Sequence, residues 1–119
     1  MIYGVGIDLI EIKRVEKALT NEAFLRRAFT EEERRQACGK SKRLVGNCAV
    51  KEAVSKALKT GFRGFELKDI EVLRDELGAP YVKLHGGAEK LSEDIGIKAV
   101  HVSIADIKEL VTAYAVTEI

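Results

Sequence analysis

Ile2 to Ile12 reads as a strand with two unlike faces. Tyr3, Val5, Ile7 and Leu9 fall on one face at period two, and Gly4, Gly6, Asp8 and Ile10 on the other. Two glycines in a strand give up packing and backbone entropy, and they mark a place where something approaches the backbone closely. That bare face leads to the carboxylate of Asp8. In a strand expected to be central, a carboxylate is costly to bury without a cation or hydrogen bonds. The glycines do not form a dinucleotide fingerprint. Leu9 stands where its third glycine belongs, and the pair lies inside the strand instead of opening a helix.

The rest of the first half is helical in pattern. Residues 12–20 and 21–28 read as short helices, with Asn21 as N-cap of the second. Thr30 followed three residues later by Glu33 is a capping box opening a helix that Gly39 can stop. Ser41 is expected to cap the longest helix, about 42–60. Its apolar stripe is Val50, Ala53, Val54, Ala57 and Leu58, and Gly61 sits where a terminal glycine belongs. The second half changes period. Residues 69–74 and 80–85 form a hairpin through Asp75-Glu76-Leu77-Gly78, a helix spans about 87–95, and 98–105 pairs with 110–119. Helices followed by antiparallel pairs make an α+β fold, not an alternating parallel one.

Bulk properties narrow the function. The 119 residues suit one domain, 1–119, and 46% hydrophobic with 33% charged residues is ordinary for a globular protein. A formal charge of +1 gives no global field for nucleic acid or a membrane surface. Locally, Lys40, Lys42 and Arg43 are basic and Glu31, Glu32 and Glu33 acidic; each group reads as a solvated helix end. Cys38 and Cys48 lack metal-site spacing and read as reduced thiols. No leader pattern is visible and no apolar run spans a bilayer, so a cytoplasmic protein is expected.

The chemistry concentrates on Lys51-Glu52-Ala53-Val54-Ser55-Lys56-Ala57-Leu58. Glu52 precedes Lys56 by one helical turn, which by itself describes an ordinary helical ion pair. Together with Asp8 it describes more. Mg²⁺ takes a few carboxylates and keeps room for phosphate oxygens, and Lys56, with Lys59, can meet phosphate as a point charge. Ser55 lies about 60° round the helix from Glu52 and about 100° from Lys56 and has no histidine–carboxylate pair to activate it. His85 and His101 read as packed or half-exposed strand residues. Arg14, Arg26 and Arg27 read either as solvated or as a docking patch for an acidic partner.

These motifs resemble the holo-acyl-carrier-protein synthase family, the small bacterial type of 4′-phosphopantetheinyl transferase. The resemblance runs from Gly-Val-Gly-Ile-Asp-Leu-Ile-Glu-Ile at 4–12, with Arg14, through Phe24-Leu25-Arg26-Arg27-Ala28-Phe29-Thr30 and the Lys51–Leu58 helix to Thr60-Gly61. It continues in Asp69-Ile70-Glu71-Val72, Pro80-Tyr81 and His101-Val102-Ser103-Ile104. Two stretches depart from it. Asn47-Cys48 stands where Arg-Phe is common, and Ala105-Asp106 where Ser-His or Thr-His is usual.

The resemblance implies the 4′-phosphopantetheinyl transferase fold, an antiparallel sheet packed with a long helix and shorter helices. It implies transfer of the phosphopantetheine arm of coenzyme A to a serine of apo acyl carrier protein, releasing adenosine 3′,5′-bisphosphate. It assigns Mg²⁺ to Asp8 and Glu52, and catalysis to Asp8, Glu52 and Lys56. It places coenzyme A on Lys56, Thr60 and Gly61, and the carrier protein on Arg14 and Arg27. It also implies a homotrimer with sites between subunits. Glu52, Lys56 and a metal-bound water all remain open as acceptor of the serine proton. A non-catalytic module binding carrier protein or coenzyme A on the same fold is the alternative reading.

Overall fold

A computed structural model describes all 119 residues. Strand β1 (Ile2–Glu11) is followed by four helices: α1 (Ile12–Ala18), α2 (Glu22–Ala28), α3 (Glu31–Ala37) and α4 (Ser41–Ala57). After a 3-10 turn (Leu67–Asp69) come β2 (Ile70–Arg74), β3 (Pro80–Leu84), α5 (Gly86–Ile95), β4 (Ala99–Asp106) and β5 (Leu110–Glu118). All strand pairs are antiparallel. One sheet has the order β1-β5-β4, and β2-β3 forms a separate hairpin. The fold is α+β, as the change of period predicts.

The local signals act as their chemistry requires. Asn21 accepts the Phe24 amide at 3.0 Å. The Thr30–Glu33 capping box closes in both directions. Asp75 Oδ1 accepts the Leu77 and Ala79 amides, each at 2.9 Å, and so folds the β2–β3 turn.

Three expectations need correction. Strand β1 lies at the edge of its sheet, and β5 is central. Ser41 is not a cap. Lys40 holds the N-cap position without a side-chain bond, and the Ser41 hydroxyl turns to Glu16 Oε2 at 2.5 Å. Glu33 is not a solvated helix end, because it is completely buried.

The burial of β1 comes from α4 instead of a second strand. A Cβ built on Gly4 would lie 2.2 Å from the Ala57 carbonyl oxygen, and one on Gly6 would lie 1.9 Å from that of Ala53. No side chain fits at either position, so the helix backbone rests directly on the strand backbone. Thr117, facing the same layer from β5, donates to the Ala57 carbonyl at 2.9 Å and satisfies a helix-end acceptor. From Leu44 to Leu58, α4 is buried all round except at Glu52 and Lys56. Val45, Val50, Val54, Leu58, Phe29 and Ile70 form the fully buried heart of the core. The opposite face of the sheet is bare. Val5, Ile7 and Leu9 are 52%, 59% and 63% exposed beside the open ring of Tyr114. No helix is long and apolar enough to cross a membrane.

Candidate active site

The close approach of α4 to β1 carries Asp8 to the open strip of the helix. Thr112 fixes the strand there by donating to the Asp8 carbonyl at 2.8 Å. The Asp8 side chain is largely buried. Its Oδ1 lies 3.4 Å from Lys56 Nζ, and its Oδ2 is buried with no hydrogen-bond partner. A buried carboxylate oxygen without a donor is expensive and calls for a cation.

Lys56 is not paired as its spacing suggests. Its ammonium donates to the Ile7 carbonyl at 2.8 Å and reaches Asp8, so it bridges helix to strand instead of closing an ion pair with Glu52. Glu52 stands half-buried beside them. Burial first, and the Asp8 charge second, raise its pKa above the ordinary carboxylate value, while Lys56 opposes the shift. Two carboxylates repelling one another, one with an orphaned oxygen, form a donor set that fits a divalent cation of the Mg²⁺ type. Asp8 and Glu52 would hold it. Ser55 is occupied elsewhere, donating to the Glu52 carbonyl at 2.7 Å.

Beside Glu52 opens a mostly apolar recess of about 590 Å³, lined among others by Arg14, Phe24, Cys48, Leu67 and Leu110. A smaller recess of about 240 Å³ carries Arg27 and shares Phe24 and Leu67 with the first. Arg14 and Arg27 therefore flank one aromatic ridge, whereas Arg26 is taken up by Glu22 at 3.2 Å. The Cys48 thiol is pushed up to about 12 by burial, so it is an inert wall and not a nucleophile. Thr60 and Gly61 follow the C-terminal end of α4, where Lys59 and Gly61 both adopt left-handed backbone. Lys59 lies over the Tyr3 ring, 4.4 Å from its centroid. His85 is bound to Glu71 at 2.9 Å, and His101 to Glu118; neither faces Asp8.

Sequence reasoning missed Arg74, whose guanidinium donates to Asn47 Oδ1 at 2.9 Å. It also missed Lys51, sealed against Glu33. Arg74 ends a strand and gave no signal. Lys51 did give one, because it lies three residues before Val54 and so borders the buried stripe.

Known proteins share the fold and much of the sequence. Residues 4–115 match the model of the 4′-phosphopantetheinyl transferase superfamily. A holo-[acyl-carrier-protein] synthase of Lachnoclostridium phytofermentans is 48% identical over 119 residues, covering 100% of this chain and 98% of that one. The crystal structure of holo-[acyl-carrier-protein] synthase from Neisseria meningitidis superposes with a TM-score of 0.90 at 35% identity, covering 99% of each chain. The Bacillus anthracis synthase, solved in complex with CoA (3′,5′-ADP), has a TM-score of 0.81 at 36% identity, covering 98% of this chain and 96% of its own. The chain belongs to the 4′-phosphopantetheinyl transferase superfamily, and is an enzyme of that kind.

Proposed function

We propose that this enzyme moves the 4′-phosphopantetheine group of coenzyme A onto a serine of apo acyl carrier protein. The carrying observation is the unsatisfied Asp8 carboxylate set against Glu52 and Lys56 at the mouth of an apolar recess. The names of its relatives and the coenzyme complex of the Bacillus anthracis synthase support the substrates.

In this reading Asp8 and Glu52 hold Mg²⁺, which when bound neutralises charge on the pyrophosphate. Lys56, already anchored on the Ile7 carbonyl, presents a fixed cation to the same oxygens. Thr60 and Gly61 bind the coenzyme at the end of α4. The serine hydroxyl loses its proton as its oxygen forms a bond to the phosphorus that carries the pantetheine arm. The bond from that phosphorus to the bridging oxygen breaks, and adenosine 3′,5′-bisphosphate departs with the electron pair. Positioning and charge neutralisation dominate such transfers, and these residues supply both. Arg14 and Arg27 meet the acidic carrier protein on either side of Phe24.

The exposed face of Val5, Ile7, Leu9 and Tyr114 supports self-association, because an apolar sheet face favours burial against another copy, and the homotrimer is the assembly that the family resemblance implies. Residues 1–119 act as one domain, in the cytoplasm, where Cys38 and Cys48 stay reduced.

Incubation with apo acyl carrier protein, coenzyme A and Mg²⁺, followed by mass spectrometry, tests the transfer. Covalent addition of the arm to the carrier serine is expected. Absence of the adduct on every bacterial carrier tried would leave only the binding-module reading. Light scattering reports the assembly, and a stable monomer would remove the shared-site arrangement.

A further inference from the structure

Helix α4 ends in a turn that is left-handed at two positions, with φ 68° at Lys59 and 60° at Gly61 and Thr60 between them. Gly61 adopts this backbone without cost, and the space around its Cα is open, so only conformation calls for a glycine there. Lys59 is different. In left-handed backbone its Cβ crowds the carbonyl that follows, and lysine has no short polar side chain to compensate locally. Only Cys38 shares that conformation among the residues that are not glycine. The turn depends on it. The Lys59 amide donates to the Lys56 carbonyl at 2.9 Å, the Gly61 amide to the Ser55 carbonyl at 3.2 Å, and the Thr60 hydroxyl to the Gly61 carbonyl at 3.0 Å. If Lys59 leaves the left-handed region, the chain no longer folds back onto Ser55.

A non-glycine residue persists in such backbone when its surroundings hold it there, and such residues cluster where a ligand is clamped. What holds Lys59 is Tyr3. Unlike Lys56, which reaches Asp8, Lys59 places its ammonium 4.4 Å from the centroid of the Tyr3 ring, well within the range of a cation–π contact. The ring is aimed at it by a bulge. Ile2 pairs with Glu118 and Gly4 with Thr117, so Tyr3 has no partner across the ladder. A bulge of this kind re-aims a side chain out of the strand's alternation. Tyr3 is half-buried, whereas Lys59 is exposed. The stiffer partner is therefore the ring, and the lysine is the one being held.

We propose that Tyr3 is a positioning residue for coenzyme binding, which acts through Lys59 to keep the Thr60–Gly61 turn in its receptive form. The inference rests on the reading that puts coenzyme A at Thr60 and Gly61. Tyr3 itself touches no substrate. Its ring sets the fraction of molecules whose turn is ready, and apparent affinity falls with that fraction.

Calorimetric titration of the full chain with coenzyme A, together with hydrogen exchange at the Gly61 amide, tests this. Tyr3→Leu, which keeps an apolar side chain but removes the ring, is expected to weaken coenzyme A binding about threefold to tenfold, the size of one cation–π contact. It should also speed exchange at Gly61. In turnover the KM for coenzyme A should rise by the same factor, with kcat and the Mg²⁺ requirement unchanged. Lys59→Met should behave like Tyr3→Leu, and Tyr3→Phe, which keeps the ring, like wild type. The sharpest arm is Lys59→Gly. Glycine needs no ring to hold left-handed backbone, so in that background Tyr3→Leu should change neither binding nor exchange. A Tyr3→Leu variant with wild-type binding would overturn the proposal, because the ring then only packs. Equal harm from Tyr3→Leu in the Lys59→Gly background would overturn it too, since the ring would not be acting through Lys59. If Tyr3→Leu does not fold, Lys59→Met, at an exposed position, decides alone by the same two signals. Absence of coenzyme A binding in the wild type would overturn the substrate reading and the ligand named here. Unaltered Gly61 exchange would overturn the positioning itself, so the two failures are read from different signals.

Discussion

Two carboxylate–ammonium clusters lie on α4 one residue apart. Around Lys51, the ammonium and the Glu33 carboxylate are both 0% exposed and 2.9 Å apart. The ammonium also donates to the carbonyls of Leu67 at 3.0 Å and Ile70 at 2.5 Å, and Glu33 takes further bonds from the Thr30 amide and Asn47. Burial raises Glu33 and lowers Lys51, and the attraction between them opposes both shifts. Around Glu52 the inventory is incomplete. Asp8 Oδ2 has no donor, Glu52 is repelled by Asp8, and Lys56 spends its best bond on a backbone carbonyl. Charges whose bonds are all made hold elements together, here α3, α4 and the turn before β2. Charges left short are held ready for something else.

Lys51→Met breaks the first cluster and has the largest expected effect. It leaves the Glu33 carboxylate buried without its cation, at about 3–5 kcal/mol. Urea denaturation should show that loss, while transfer per folded molecule stays near wild type. A variant of normal stability and no activity would move Lys51 into the chemistry and erase the contrast. Glu33→Leu added to Lys51→Met should recover part of the stability, because the orphaned carboxylate goes with it.

Glu52→Gln inverts the pattern. Transfer should fall on the order of 10²- to 10³-fold, the size of losing a group that stabilises developing charge, and the urea midpoint should not fall. Asp8→Asn should behave alike. If Glu52→Gln keeps the wild-type rate at limiting Mg²⁺, Glu52 is a surface residue of a helix and nothing more.

Much of this division was legible in the residues. Gly4 and Gly6 announced a close approach to the β1 backbone, and Ala53 and Ala57 on α4 were already on the apolar stripe that answers it. The capping box, the Asn21 cap and the Asp75 turn acted locally and were read locally. What the pattern did not contain was strand order. Period two says which side chains share a face, not how many neighbours a strand has, so β1 was expected at the centre and lies at the edge. Nor does it say which charge a distant element will meet. Lys56 met β1 instead of Glu52, Glu33 met Lys51, and Arg74 met Asn47, all contacts made by tertiary packing.

Gly6→Ala tests whether the second cluster depends on that close approach. The added methyl would start 1.9 Å from the Ala53 carbonyl oxygen, so helix and strand must separate. Overpacking of this kind costs about 1–3 kcal/mol. The separation also draws Glu52 away from Asp8, so the Mg²⁺ concentration for half-maximal rate should rise. Lys51 and Glu33, on the far side of α4, should keep their protection in hydrogen exchange. Loss of protection there with an unchanged Mg²⁺ requirement would mean that the two clusters are one unit.

The smallest effect expected is a dependence of stability on pH with opposite sign from the usual carboxylate. The folded-state pKa of Glu52 lies above its unfolded value, by burial and by Asp8. Between the two values the folded chain therefore holds more protons than the unfolded one, and stability falls as pH rises through that window. Above the folded pKa the penalty is complete; below the unfolded pKa it is absent. In chelator, wild type should lose stability relative to Glu52→Gln as pH rises from the unfolded to the folded pKa of Glu52. Added Mg²⁺ binds the ionised folded form and should close the gap by mass action. The same titration on Lys51→Met should keep this Glu52 component, because the ammonium it removes belongs to the sealed cluster. A gap that Mg²⁺ does not close would show that no metal relieves the repulsion between Asp8 and Glu52, and that the short inventory of bonds there awaits none.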